Sequence, residues 1–448
     1  MLGKQKLKAM TGYALKEAKR LGVGEAEVVI WGGTEELTRF AQNHIHQSVS
    51  LTDTQIHVRC ILGRKIGVAR ANRTDPIGIR TAVARAKMLA TLQREDPHFH
   101  SLPTRNTYRR ISRPRKGDKH IGSSGRAQAI AIIIRNALEH DLVASGAFSE
   151  SDSELGVANS HGVWAYHIGA AASLSSIVMG ERGSGFASQN TKFGSGITTN
   201  EVSDTAIYKA THGEFVDVPA GEYEVILEPP AVAELLDFFG WLGPNARIYH
   251  EDVSFYQGNI GKQLFDSSLT IVDDPFQAAG YPMAFDYEGT PKKKITLVNR
   301  GVAQNVVYDS YHGHKYGKEN TGHALLAPNT WGPIPTHMVL LPGKQNVSAM
   351  IKRVKRGLLI TRFWYTRVVH HKKLILTGMT RDGTFFIEHG TIVGRARNLR
   401  YTESVLEALK DIRGIGNDLS LEGSEGSPSL VPTLHLGKFR FTGVTQHG

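Results

Sequence analysis

The chain has 448 residues, of which 40% are hydrophobic and 21% charged, and its one cysteine is Cys60. That balance fits a globular protein with two or three cores, and it excludes a mainly disordered chain or a disulfide scaffold. Lysine plus arginine number 53 against 42 aspartates plus glutamates, a net charge of +11, which raises the expectation of an anionic partner although the basic residues are scattered.

In chain order, residues 5–21 read as an amphipathic helix with Leu7, Met10, Ala14, Ala18 and Leu21 on one face. Ala26 to Trp31 reads as a strand. Gln55 to Ala71 reads as two strands around a tight turn at Gly63–Arg64, with Ile56, Val58 and Cys60 alternating with His57 and Arg59. Asp75–Pro76 is a helix start, a capping acid followed by proline at the first helical position, and the helix runs to about Gln93. Residues 94–124 read as a long solvent-facing connection carrying Arg105, Arg109, Arg110, Arg113, Arg115, Lys116 and Lys119. Gly125 to Asp141 reads as another helix, Val157 to Val178 as paired strands around Gly162, and 180–197 as a Gly/Ser-rich, substrate-facing loop. From Glu222 a strand (Tyr223 to Leu227) leads to a helix beginning near Pro230 and then to many short strands. The change of pattern places a boundary near residue 215, dividing the chain into 1–214 and 215–448. No apolar run approaches the roughly 18–20 residues of a membrane span. The opening residues lack the apolar stretch of a secretory signal, so the expected compartment is cytoplasmic, in keeping with the single cysteine.

Metal motifs are scarce. The only His-Glu pair, His250–Glu251, is followed by Ser254 and Phe255 where a second histidine ligand would stand, and reads as a surface feature. His312, His314 and His323 are close enough in sequence to be a candidate ligand set, with a histidine-lined crevice as the simpler reading. His370–His371, followed by two lysines, reads as a solvated turn. No phosphate-binding G-x-x-x-x-G-K-[ST] and no G-x-S-x-G elbow occurs. Cys60 lies in an alternating strand and reads as core. Asp273 and Asp274 are adjacent and point to opposite faces of a strand, so they read as turn formers before Pro275. The basic run at 105–119 contains one aromatic, Tyr108, and reads as a solvated loop, which makes nucleic acid an unlikely partner.

Several segments in order carry a more specific signal: GEYEVILEPPAVAELLDFF (221–239), SLTIVDDP (268–275), FDYEGTPKKKITLVNRGV (285–302), KENTGHA (318–324) and RDGTFFIEHGTIVGRARNLRYTES (381–404). With ANSHG (158–162) and GSGFAS (183–188) they resemble the TldD/PmbA family, also called modulator of DNA gyrase. The resemblance implies an α+β fold in two domains: an N-terminal sheet packed by helices and a β-rich, partly barrel-like C-terminal domain. It also implies zinc peptidase chemistry. TldD-type members carry His-Glu-x-x-x-His on the helix after the 223–227 strand, with a cysteine as a further ligand. Here that helix reads AVAELLDFFGWL (231–242), and the only cysteine is in the other half. The chain therefore looks like the TldE/PmbA type, which lacks the zinc motif and pairs with a TldD-type paralogue to enclose a chamber where unfolded peptides are cut.

On that resemblance the expected function is a non-catalytic subunit that binds no cofactor itself, zinc residing in the partner. It would act as a heterodimer with the paralogue or as a homodimer. Gly183, Gly185, Phe186, His312, His314, Thr321 and His323 are the candidate substrate-contacting residues. Two alternatives stay open: a metallopeptidase in its own right using His312, His314 and His323, and a binding protein for an anionic partner such as nucleic acid.

Overall fold

The computed structural model describes every residue except 112–116, 182, 424–427 and 446–448. Arg113, Arg115 and Lys116 of the basic run, and Arg182 of the glycine-rich run, lie outside the described residues.

The first half is an antiparallel sheet with helices on one face. After helix α1 (Lys4–Arg20) come strands β1 (Glu25–Ala41), β2 (His44–Leu62) and β3 (Lys65–Ala71), then α2 (Pro76–Leu92) and α3 (Gly122–Leu138). Strands β4 (Val143–Asn159), β5 (Trp164–Gly180) and β6 (Gly183–Thr191) and helix α4 (Thr199–Thr211) complete it. The strand order is β3-β2-β1-β4-β5-β6. Alternation decides the faces. Val28 and Ile30 of β1 and Ile56, Val58 and Cys60 of β2 are buried with Leu7 and Ala14 of α1 and Val83 and Ala86 of α2. Further along, Phe148 and Leu174 are buried with Ile130 and Ile133 of α3 and Val202 and Ala206 of α4. Helix α2 starts where the acid-proline pair predicts, with Asp75 Oδ1 accepting from Gly78 N at 2.7 Å.

Two expectations are corrected here. Residues 183–191 are strand rather than loop, paired to β5 from Ala172↔Thr191 to Gly180↔Gly183. Small residues there admit a helix: a Cβ on Gly185 would lie 2.0 Å from Ala206 O of α4. Strand β1 also runs ten residues beyond Trp31. Its Gly32–Gly33 pair resembles a breaker, but hydrogen bonding on both sides, to β2 and β4, keeps it extended.

The second half opens with β7 (Phe215–Val216), β8 (Gly221–Leu227), α5 (Pro229–Leu242) and α6 (Ala246–His250). Strands β9 (Ile271–Asp273), β10 (Ile295–Asn299) and β11 (Val302–Ala303) follow, then α7 (Ser310–Tyr316) and β12 (Met338–Leu340). The long strands β13 (Arg356–His370) and β14 (Ile375–Glu388) precede β15 (Thr391–Ala396), β16 (Leu399–Ser404) and β17 (Ile412–Ile415). The last are β18 (Ser420–Glu422), β19 (Ser429–Val431) and β20 (Leu434–Val444). Strand β13 pairs with β8, β8 with β20, β20 with β16, β16 with β14, and β14 with β13 again, so five strands close a barrel. Phe363, Tyr401 and Phe439, from three of those strands, pack together with ring centroids 4.7–5.6 Å apart. They share one core with Leu235, Leu236 and Phe239 of α5. A second sheet, β11-β10-β9-β12-β19-β18, lies outside the barrel. The architecture is thus α+β, with a helix-packed N-terminal sheet and a barrel-containing C-terminal half.

Candidate functional site

The face of the first sheet opposite its helices carries a cavity of about 690 Å³. Its floor follows from strand register. Trp31, Gly33 and Glu35 share one face of β1. Gln55, Asp53 and Leu51 stand opposite them on β2, and Leu155, Ser153 and Ser151 on β4. His167, Gly169 and Ala171 continue the rows onto β5. The middle row is low because two of its four residues are glycine; a Cβ on Gly169 would meet Ser153 Oγ at 2.8 Å. The roof comes from the second half: Tyr281, Met283, Tyr287, Lys292, His323 and His337 line it. Exposed Trp31 and Leu51 mark the mouth.

A buried polar network backs the roof. Asp273, at the end of β9, accepts from His323 Nε2 at 2.9 Å and from the His337 backbone N–H at 2.7 Å. Burial alone would raise the Asp273 carboxyl. The hydrogen bond from His323, with His337 and Lys292 beside it, outweighs that and holds the carboxyl well below the usual range. His323 is lowered by burial and by Lys292, so the pair is a neutral imidazole on a carboxylate. Burial lowers His337 to about 3. Its Nδ1 lies 2.9 Å from Thr336 Oγ1, which also accepts from Lys292 Nζ at 3.1 Å. Burial likewise lowers the Lys292 amine, against the opposing pull of Asp273 and Asp286.

The loop 284–292 delivers Lys292. It closes on itself through Lys292 N to Ala284 O, 3.0 Å. The Asp286 carboxylate binds it together, accepting from the backbone N–H groups of Glu288, Thr290 and Ala324. Next to it, Arg59 Nη2 bridges Glu27 (2.9 Å) of the first sheet and Glu288 (3.1 Å) of this loop. That buried triad ties roof to floor.

The seven residues chosen from sequence do not converge. His323 lines the cavity, and Thr321 lies behind it, its Oγ1 2.9 Å from His323 Nδ1. His312 and His314 are on α7, a short helix rather than the expected loop, capped by Asp309, which also holds His312 Nδ1 at 2.8 Å. His314 stacks instead on His100, centroids 4.4 Å apart. Gly183, Gly185 and Phe186 sit in β6 against α4 and the barrel; Phe186 lies under the Arg362 guanidinium at 4.3 Å. Two further readings are corrected. His250 is no plain surface residue, since it stacks on Tyr316 at 3.6 Å and lies 3.1 Å from the Tyr308 hydroxyl. Asp273 is a buried member of the network; only Asp274 forms the turn, accepting from Phe276 N. Cys60 is core, as its strand position predicts.

Sequence reasoning missed Lys292 and His337. Lys292 heads a run of three lysines. Its neighbours Lys293 and Lys294 do pair outward, with Glu319 and Asp274, and hide the one that turns in.

The barrel and the helix laid over it match the family model described as the PmbA/TldA metallopeptidase C-terminal domain, over residues 220–440. The match is to that family domain and covers just under half of the chain. The whole fold superposes on the crystal structure of TldE from Thermococcus kodakarensis with a TM-score of 0.89, covering 97% of this chain and 100% of that one at 20% identity. An uncharacterized protein, MJ0231, of Methanocaldococcus jannaschii is 28% identical over 214 residues, 46% of this chain and 49% of its own length. A metalloprotease TldD homolog of Buchnera aphidicola is 26% identical over 177 residues, 39% and 36% of the two chains. The matches thus span half or less of these curated relatives.

The zinc that the sequence resemblance implies for peptidase members finds no ligand set on the helix it points to. Helix α5 carries Glu234 and Asp237 but no histidine, and Cys60 lies in the other sheet, 3.8 Å from Val83 O. Among the described residues no group of three or more His, Cys, Asp or Glu side chains is placed to hold a metal ion. Glu234 instead belongs to a protein-only cluster with Thr366 and Arg362, its carboxyl raised by burial.

Proposed function

We propose that this chain is a TldE/PmbA-like subunit of a two-chain metallopeptidase acting on unfolded peptides. In this reading it binds no zinc, a TldD-type paralogue supplies the metal, and this chain shapes part of the substrate chamber. The observation that carries the proposal is α5. By the sequence resemblance it stands where TldD-type members carry the metal-binding helix, directly after β8, yet it presents Leu235, Leu236 and Phe239 to the core and offers no nitrogen or sulfur donor. The cavity supports a chamber role, with extended backbone on its floor and an exposed β2 at its rim, where a peptide main chain can add. The N-terminal unit, divided from the barrel near residue 215, is the cavity's floor in this proposal. A single buried cysteine accords with work in the reducing cytoplasm, and no described helix is long and apolar enough to cross a membrane.

The test is complex formation. The chain, mixed with a TldD-type paralogue from the same genome, elutes as a heterodimer on size-exclusion chromatography with light scattering. Two separate peaks at micromolar concentration would overturn the reading.

A further inference from the structure

The cavity holds one group that the chamber reading leaves unused. Lys292 is 7% exposed and lines the cavity. Among the described residues no carboxylate oxygen lies within ion-pair distance of its Nζ. The two nearby acids are committed elsewhere: Asp273 to His323 and the His337 backbone, Asp286 to three backbone N–H groups. The one hydrogen bond of the amine goes to a hydroxyl, Thr336 Oγ1, at 3.1 Å. That hydroxyl is 2.9 Å from His337 Nδ1, and its own proton points to that nitrogen once Lys292 donates to its oxygen. A buried lysine in a structural role takes a carboxylate partner; this one has a proton relay and open space.

We propose that Lys292 is a nucleophilic amine that forms an imine with a small neutral aldehyde or ketone entering this cavity. The lone pair of Nζ attacks the carbonyl carbon and a C–N bond forms. The C=O π pair moves to oxygen, and one amine proton, relayed by the Thr336–His337 pair, passes to that alkoxide to give a neutral carbinolamine. The remaining N–H proton follows the same relay to the hydroxyl, the C–O bond breaks with loss of water, and the nitrogen lone pair closes the C=N bond; aldehyde plus amine gives imine plus one water. Tyr281, Met283 and Tyr287 supply an apolar wall for the carbonyl's substituent. The lowered basicity of the buried amine keeps more of it as free base at neutral pH than any surface lysine has. This site is independent of zinc and of any partner chain.

The test is reductive trapping on the full-length wild-type protein with propionaldehyde and sodium cyanoborohydride at pH 7, followed by peptide mass mapping. Lys292 is expected to carry the propyl adduct several-fold faster than surface lysines. The preference should disappear in urea. Thr336→Val should slow the adduct at Lys292 several-fold and Thr336→Ser should restore it, with surface labelling unchanged in both. Lys292 labelled no faster than surface lysines in the folded protein would overturn the proposal. Equal rates in Thr336→Val and wild type would overturn the relay.

Discussion

Arg59 offers the sharpest test of how the cavity is held together. Its guanidinium, 13% exposed, lies between Glu27 and Glu288, which are 4% and 8% exposed. Burial would lower the arginine, but the two carboxylates outweigh it and hold it firmly charged. Glu27 behaves differently: burial raises its carboxyl to about 7 despite Arg59, because one guanidinium is divided between two acids. Arg59→Met keeps the bulk and removes the cation. Two buried carboxylates are then left without a counter-charge, and breaking a buried pair in this way costs about 3–5 kcal/mol. The pH dependence gives the sign. The folded value of Glu27 lies above its unfolded 4.5, so its contribution is fully present below 4.5 and is lost as pH rises through about 7. Without Arg59 that loss deepens. Urea unfolding followed by fluorescence should therefore show a large deficit for Arg59→Met at pH 8 and a much smaller one at pH 5. Replacing all three residues by methionine should recover most of the deficit. A deficit under about 1 kcal/mol, or one equal at both pH values, would show that water solvates the acids and would refute the buried triad.

Two further outcomes follow from the same structure. Gly185→Ala drives a Cβ into the α4 backbone at Ala206 O and should cost about 1–3 kcal/mol, as overpacking does; a neutral result in thermal unfolding would contradict the helix–strand contact. His337 and His167 are half-buried neutral imidazoles, lowered by desolvation from 6.5 to about 3 and about 4. Because the unfolded chain binds protons that the folded chain refuses, stability should fall as pH drops below 6.5 and level off only near 3–4. His167→Gln should flatten that fall between pH 6.5 and 4, and an unchanged acid-unfolding profile would show that His167 titrates freely.

Local chemistry made much of the fold legible. The Asp75–Pro76 cap, the Gly63 turn between β2 and β3 and the proline start of α5 each stand where the sequence predicts. The barrel was expected from family resemblance alone, because its closure depends on β8 meeting β13 and β20, more than a hundred residues away. The site was largely hidden. Its floor includes Gly33 and Gly169, whose composition signals turns, and which stay extended only because strands flank them. Its roof joins Asp273, Lys292, His323 and His337, residues with no shared motif that the fold alone assembles. The conspicuous histidines of α7 were misleading for the opposite reason: their spacing is local, and Asp309 and His100 account for them.

The central claim, that this chain is a zinc-free partner subunit, is tested most directly by metal analysis and peptidase assay of the purified protein, alone and mixed with a TldD-type paralogue. The account predicts no stoichiometric metal on this chain and cleavage of an unfolded peptide only in the mixture. Stoichiometric zinc on the isolated chain together with peptidase activity in the absence of the paralogue would contradict it.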